Sequence, residues 1–226
     1  MTYGFHRSRR GIVADLTEQE QGILLGLLQQ TAELLSDATG AGQSEFGDGT
    51  SEVQGSSDGL DEGGAQPDDD SFEAMMRRAG FGPEARGADG QPDGSDAAPE
   101  IHDSAVRRLL PDAHADAETA AEFRRMTGTS VRDRKLGHLR TAVQVVAGAQ
   151  GGRLPLSEEE ATSLLIAMTD VRLVLADRLD LDSDEKAESL SDEVADMDQD
   201  DPRFALALGY EFLTWLQETL ATALTR

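Results

Sequence analysis

The chain has 226 residues, of which 38% are hydrophobic and only 4% aromatic, too little apolar material for one compact domain of that length. A formal charge of −24 argues against a general nucleic-acid binder, because neutralising phosphates requires a positive surface. The absence of cysteine excludes disulfides, thiolate metal sites, iron–sulfur clusters and thiol redox switching within the chain.

Residues 1–10 contain no apolar signal-like core, and no apolar run approaches the length of a membrane span, so the expectation is a cytoplasmic protein without membrane contact. Tyr3 to Arg7 and Gly11 to Asp15 read as the two arms of a hairpin with a basic tip. Thr17 followed by Glu20 is a capping-box signature, in which hydroxyl and carboxylate exchange hydrogen bonds with backbone amides at the helix start. Leu24, Leu27, Leu28, Leu34 and Leu35 then lay an apolar stripe along a helix over 18–36. These residues, 1–36, form the N-terminal part of the core domain.

From 37 to 103 Gly, Asp, Ser and Pro dominate and no apolar periodicity persists, which predicts a long acidic disordered insert. One island interrupts it, SFEAMMRRAGF at 71–81, which either docks on the parent domain or serves as a helical motif for a partner. The rest of the domain occupies 104–226. Pro111 stops any helix after Leu109 and Leu110, Ala117 to Met126 is rich in helix formers, and Ser130 with Asp133 suggests a second capped start. Leu136, Leu139, Val143 and Val146 follow on one face.

Arg153 to Leu156 reads as a short strand beside the hairpin. The segment Leu156-Ser157-Glu158-Glu159-Glu160 before Leu164-Leu165 repeats Leu16-Thr17-Glu18-Gln19-Glu20 before Leu24-Leu25, so two strand–cap–helix units are one reading and convergence on a good helix start is the other. The helix from Glu158 to about Leu179 buries Ala161, Leu164, Met168, Val171 and Leu175. Ile166 and Leu173 project from its other side, which places this helix centrally in a bundle or against a second copy of the chain. An acidic linker with a short helical piece around 184–194 fills 180–201. In the last helix, opened by Asp201 and Pro202, Phe204, Leu208, Phe212, Trp215 and Leu216 share one broad face, with Trp215 as the expected core anchor.

The run LLPDAH at 109–114, the AAEFRR at 120–125, the GRLPLSEEEA and VRLVLADRL of the middle helix and the FLTWLQETL of the last one resemble an actinobacterial family of unknown function that includes the oxidative-stress regulator AosR. The resemblance covers Tyr3 to Leu35 and Ser104 to Leu224. It implies a transcriptional regulator that associates with an alternative sigma factor or RNA polymerase under oxidative stress. The family's redox regulators rely on a pair of cysteines, so in this chain any sensing must lie in methionine or in a partner.

No constellation of residues points to a reaction centre. His6, His102, His114 and His138 are isolated, neither GxGxxG nor a phosphate-binding GxxxxGK[ST] occurs, and Glu118 with Glu122 reads as a solvated surface; no cofactor or metal is expected. The chemically distinctive stretch is basic. Arg124, Arg125, Arg132, Arg134, Lys135 and Arg140 face only Glu122 and Asp133 between 121 and 140. Arginine suits bidentate contact with carboxylates, whether of an acidic partner or of this chain's own acidic segments. A helix-turn-helix over 117–147 is the alternative, although a recognition helix needs its readers on one outer face, whereas Arg134 and His138 point away from the core, Arg132 sits near the apolar stripe and Lys135 and Arg140 flank it. The expectation is therefore a mainly α helical bundle with a small antiparallel β element, acting in regulation by protein contact through those six residues. Direct DNA binding is second, an enzyme third, and a homodimer through Ile166 and Leu173 stays open.

Overall fold

A computed structural model describes residues 3–9, 11–37, 76, 103–111 and 129–226. The expected insert over 37–103 lies outside these residues except at its ends and at Met76, and so do the expected helix at 117–126 and the candidate contacts Arg124 and Arg125.

The described chain is mainly helical with a three-stranded antiparallel sheet. Strand β1 (Tyr3–Ser8) pairs with β2 (Gly11–Asp15), with Ser8 opposite Gly11 and His6 opposite Val13. Gly11 has φ +128°, and a Cβ there would stand 2.6 Å from the Leu156 carbonyl oxygen, so only glycine lets the third strand approach. That strand, β3 (Arg153–Leu156), pairs with β2 in the register Ile12 to Leu156 and Asp15 to Arg153. The expected third strand is therefore present. Its alternation is strict: Leu154 and Leu156 are buried, Arg153 and Pro155 exposed. Pro155 also removes a donor from an edge strand.

Both strand–cap–helix units form. Ahead of α1 (Glu18–Asp37) the Glu20 amide donates to Thr17 Oγ1 at 3.2 Å while the Thr17 amide donates to Glu20 Oε2 at 2.7 Å. The helix after β3 begins the same way, with the Glu160 amide on Ser157 Oγ and the Ser157 amide on Glu160 Oε2. Antiparallel pairing of β2 with β3 places the two units back to back, and the Leu16 amide bonds the Gly152 carbonyl at 2.7 Å.

In chain order after α1 come α2 (Ser104–Leu109), α3 (Thr129–Ala147), α4 (Glu158–Arg178), α5 (Asp184–Asp196) and α6 (Pro202–Thr225). Ser130 lies within the first turn of α3, so it does not precede the helix as its expected cap. Helix α4 is the axis of the bundle and packs on α1, α2, α3 and α6. This explains why it is apolar on more than one side. Ala161, Leu164, Met168, Val171 and Leu175 are all fully buried, and Leu173, expected to project outward, is partly buried against the same core. Met76 is 1% exposed within that core; the rest of the 71–81 island lies outside the described residues. The acidic stretch 180–201 is mostly helix: α5, capped by Ser183, is seated by Leu190 and, partly, by Val194.

Candidate functional site

The described part of the basic stretch falls on α3, and its cations divide into two kinds. Arg132 is half-buried and its guanidinium donates to the carbonyls of Leu35 and Ser36 at 3.2 and 3.1 Å, satisfying acceptors left open at the C-terminal end of α1. Lys135 reaches across the helix interface to Asp170 on α4, with Nζ 2.5 Å from Oδ1. Asp170 is 3% exposed at its side chain, and its second carboxylate oxygen has no hydrogen-bond partner. Both residues thus hold the fold. Arg134 and Arg140 are exposed, on either side of Gly137, where a Cβ would meet nothing within 4 Å. His138 does not face outward as expected: its Nδ1 lies 3.3 Å from Ser163 Oγ on α4.

The opposite behaviour appears on α6. Leu206, Leu213, Leu216 and Leu220 enter the core at 1% exposure or less. Leu208 and Trp215, however, are 41% and 37% exposed, the large hydrophobic residues most open to solvent among those described. Trp215 is therefore not the core anchor that its size suggested; its neighbour Leu216 takes that place. Residues 208, 212 and 215 are spaced by four and three and so share a face, and the Phe212 and Trp215 rings lie tilted at 31° with centroids 6.3 Å apart. Glu211 and Glu218 run along the outer flank of this stripe. Glu211 Oε2 accepts from Ser191 of α5, tying the acidic helix to the same side of the molecule. Sequence periodicity contained a signal for this face. Apolar positions on α6 cover an arc wider than one helix contact, so some of them had to remain outside.

Other polar groups are structural. Arg172 of α4 bonds Gln217 and the Tyr210 hydroxyl of α6. Arg178 pairs with Asp103, the cap of α2, at 2.6 Å. Burial alone would push the Asp103 carboxyl up, but the Arg178 guanidinium and the Ala105 and Val106 amides hold it below the ordinary aspartate value of 3.8. A depression of about 440 Å³ beside β1 and α6 is lined by Gly4, Phe5, His6, Asp15 and Thr219, and brings together one histidine and one carboxylate. Among the described residues, no three His, Asp or Glu side chains are placed to hold a metal ion, and no helix is long and apolar enough to cross a membrane.

A family model described as Domain of unknown function (DUF2017) matches residues 2–224. No curated protein and no solved structure matches the chain.

Proposed function

The chain belongs to the DUF2017 family, and on that premise we propose that it is a regulatory protein acting by contact with another protein. The observation that carries this reading is the exposed pair Leu208 and Trp215, bridged by the half-buried Phe212, on a helix whose other side is packed in the core. Large apolar side chains left in water on a well-formed helix are a feature of docking surfaces. The resemblance to the AosR-bearing group makes the partner an alternative sigma factor or RNA polymerase, and the setting oxidative stress in an actinobacterial cytoplasm. Without cysteine, no thiol switch operates in this chain. On α3 the exposed Arg134 suits contact with an acidic partner, whereas Arg132 and Lys135 are engaged in the fold.

That division also weakens the DNA-reading alternative. A recognition helix spends its cations on phosphates and bases, whereas Arg132 and Lys135 on α3 are occupied by Leu35, Ser36 and Asp170. The test is gel filtration of the full chain with RNA polymerase carrying an alternative sigma factor, beside a mobility-shift assay on promoter DNA alone. Comigration with the polymerase or the sigma factor and no shift at low salt is the expected result. A salt-sensitive DNA shift without polymerase, or no comigration, overturns the reading.

A further inference from the structure

The outward face of α6 specifies the chemistry of its occupant. Along its length Leu208 and Trp215, with the half-buried Phe212 between them, form an apolar ridge, and the outer flank of that ridge is acidic. Glu211 and Glu218 flank it on the same helix, and α5, joined to it through the Ser191–Glu211 bond, belongs to the segment from Asp180 to Asp201, which contains eleven acids and a single lysine. Arg203, the cation near the start of α6, donates to the Leu179 carbonyl and sets one positive charge against these acids. An apolar ridge beside a negative flank attracts a segment with the reverse pattern, apolar residues on one face and Lys or Arg beside them.

We propose that this face binds a basic amphipathic helix of a partner protein, with its apolar side on Leu208, Phe212 and Trp215 and its cations against Glu211, Glu218 and the acids of α5. The inference rests on the protein-contact reading above and adds to it the kind of segment that is bound. A second copy of the chain fits less well, because each copy carries −24 and would set acidic flank against acidic flank. Of the chain's own Arg-bearing 71–81 segment, the described residue, Met76, lies in the core.

Trp215 is the sole tryptophan, so the full chain reports on this face by its own fluorescence. The probe is a tryptophan-free amphipathic peptide of leucine and lysine; its counterpart with glutamate in place of lysine is the control. In the free protein Trp215 emission is expected to be quenched readily by acrylamide. The basic peptide should shift the emission to the blue and shield it, with affinity falling roughly tenfold or more in Leu208→Lys and several-fold in Glu218→Lys. Added salt should weaken binding in the same direction. Circular dichroism confirms that Leu208→Lys, an exposed position, leaves the helix content unchanged.

Equal binding of the acidic peptide, or binding indifferent to Leu208→Lys, overturns the proposal. So does a Trp215 already shielded in the free protein, whether a concentration-dependent change in sedimentation marks a second copy on the face or an unchanged monomer marks one of the chain's own segments. If the peptide fails while comigration with the polymerase persists, this inference falls and the functional reading stands; if the peptide binds and comigration fails, the face holds and the named partner is wrong.

Discussion

On α3 cations turn inward, while on α6 bulky apolar residues turn outward, and the contrast shows how poorly residue type alone marks a contact surface. Arg132 and Lys135 have long aliphatic stems and satisfy groups that would otherwise be buried without partners: the last carbonyls of α1 in one case and the Asp170 carboxylate in the other. Leu208 and Trp215 stay 41% and 37% exposed, because the core is already filled by Leu206, Leu213, Leu216 and Leu220. Charge therefore serves the interior at one helix and apolar surface is left for recognition at the other.

The strongest way to break this comparison is at Lys135. Lys135→Ala strands the 3%-exposed Asp170 carboxylate without its counter-charge, and removing one partner of a buried pair costs about 3–5 kcal/mol. Urea unfolding should show that loss, and Lys135→Met combined with Asp170→Leu should recover most of it. A single-substitution cost near zero would return Lys135 to the surface and to the list of contact residues.

On α6 the sharpening experiment is a pair of neighbours. Leu216→Ala, at a fully buried position, should cost about 2–5 kcal/mol through lost burial and the cavity left behind. Trp215→Ser, one residue earlier, should cost only about 1 kcal/mol while abolishing peptide binding, followed by the anisotropy of a dye-labelled peptide because the substitution removes the intrinsic fluorophore. If the larger side chain proves the costlier to remove, the ridge belongs to the core after all.

What could be read from the sequence was local. The Thr17–Glu20 and Ser157–Glu160 boxes lie within four residues, and both form with both hydrogen bonds in place. The strand at Arg153 to Leu156 and the buried face of α4 followed from periods of two and of three to four. The Lys135–Asp170 pair spans 35 residues and depends on how α3 lies against α4, which no periodicity encodes. Trp215 failed for a related reason. A helical wheel ranks faces by apolarity, but the number of neighbours available to cover each face is a property of the packed bundle.

Arg132 tests the inward half of the contrast at smaller scale. Arg132→Ala leaves the Leu35 and Ser36 carbonyls without their side-chain donor, and the expected cost is about 1–3 kcal/mol. Exposed Arg134→Ala should fall within about 0.5 kcal/mol of the parent. Equal costs at the two positions would erase the distinction between structural and surface cations on α3, and the partner-docking test is best run on Arg134.

The smallest effect is read by pH at Arg178, another cation drawn inward, 18% exposed at its side chain. Its partner Asp103 has a folded-state pKa below the ordinary value, so its ionised form favours the folded state. The resulting stability is fully present above the unfolded-state pKa near 3.8 and is lost as pH falls through the lower folded-state value. Asp103→Asn keeps a side-chain oxygen able to cap α2 but carries no charge to titrate. Its stability at neutral pH should be slightly lower than the parent's, and its decline in acid correspondingly shallower, so the two curves converge below pH 3.8. Curves that stay parallel would mean that Arg178 does not hold Asp103 in solution, and that the inward pull on cations is confined to α3.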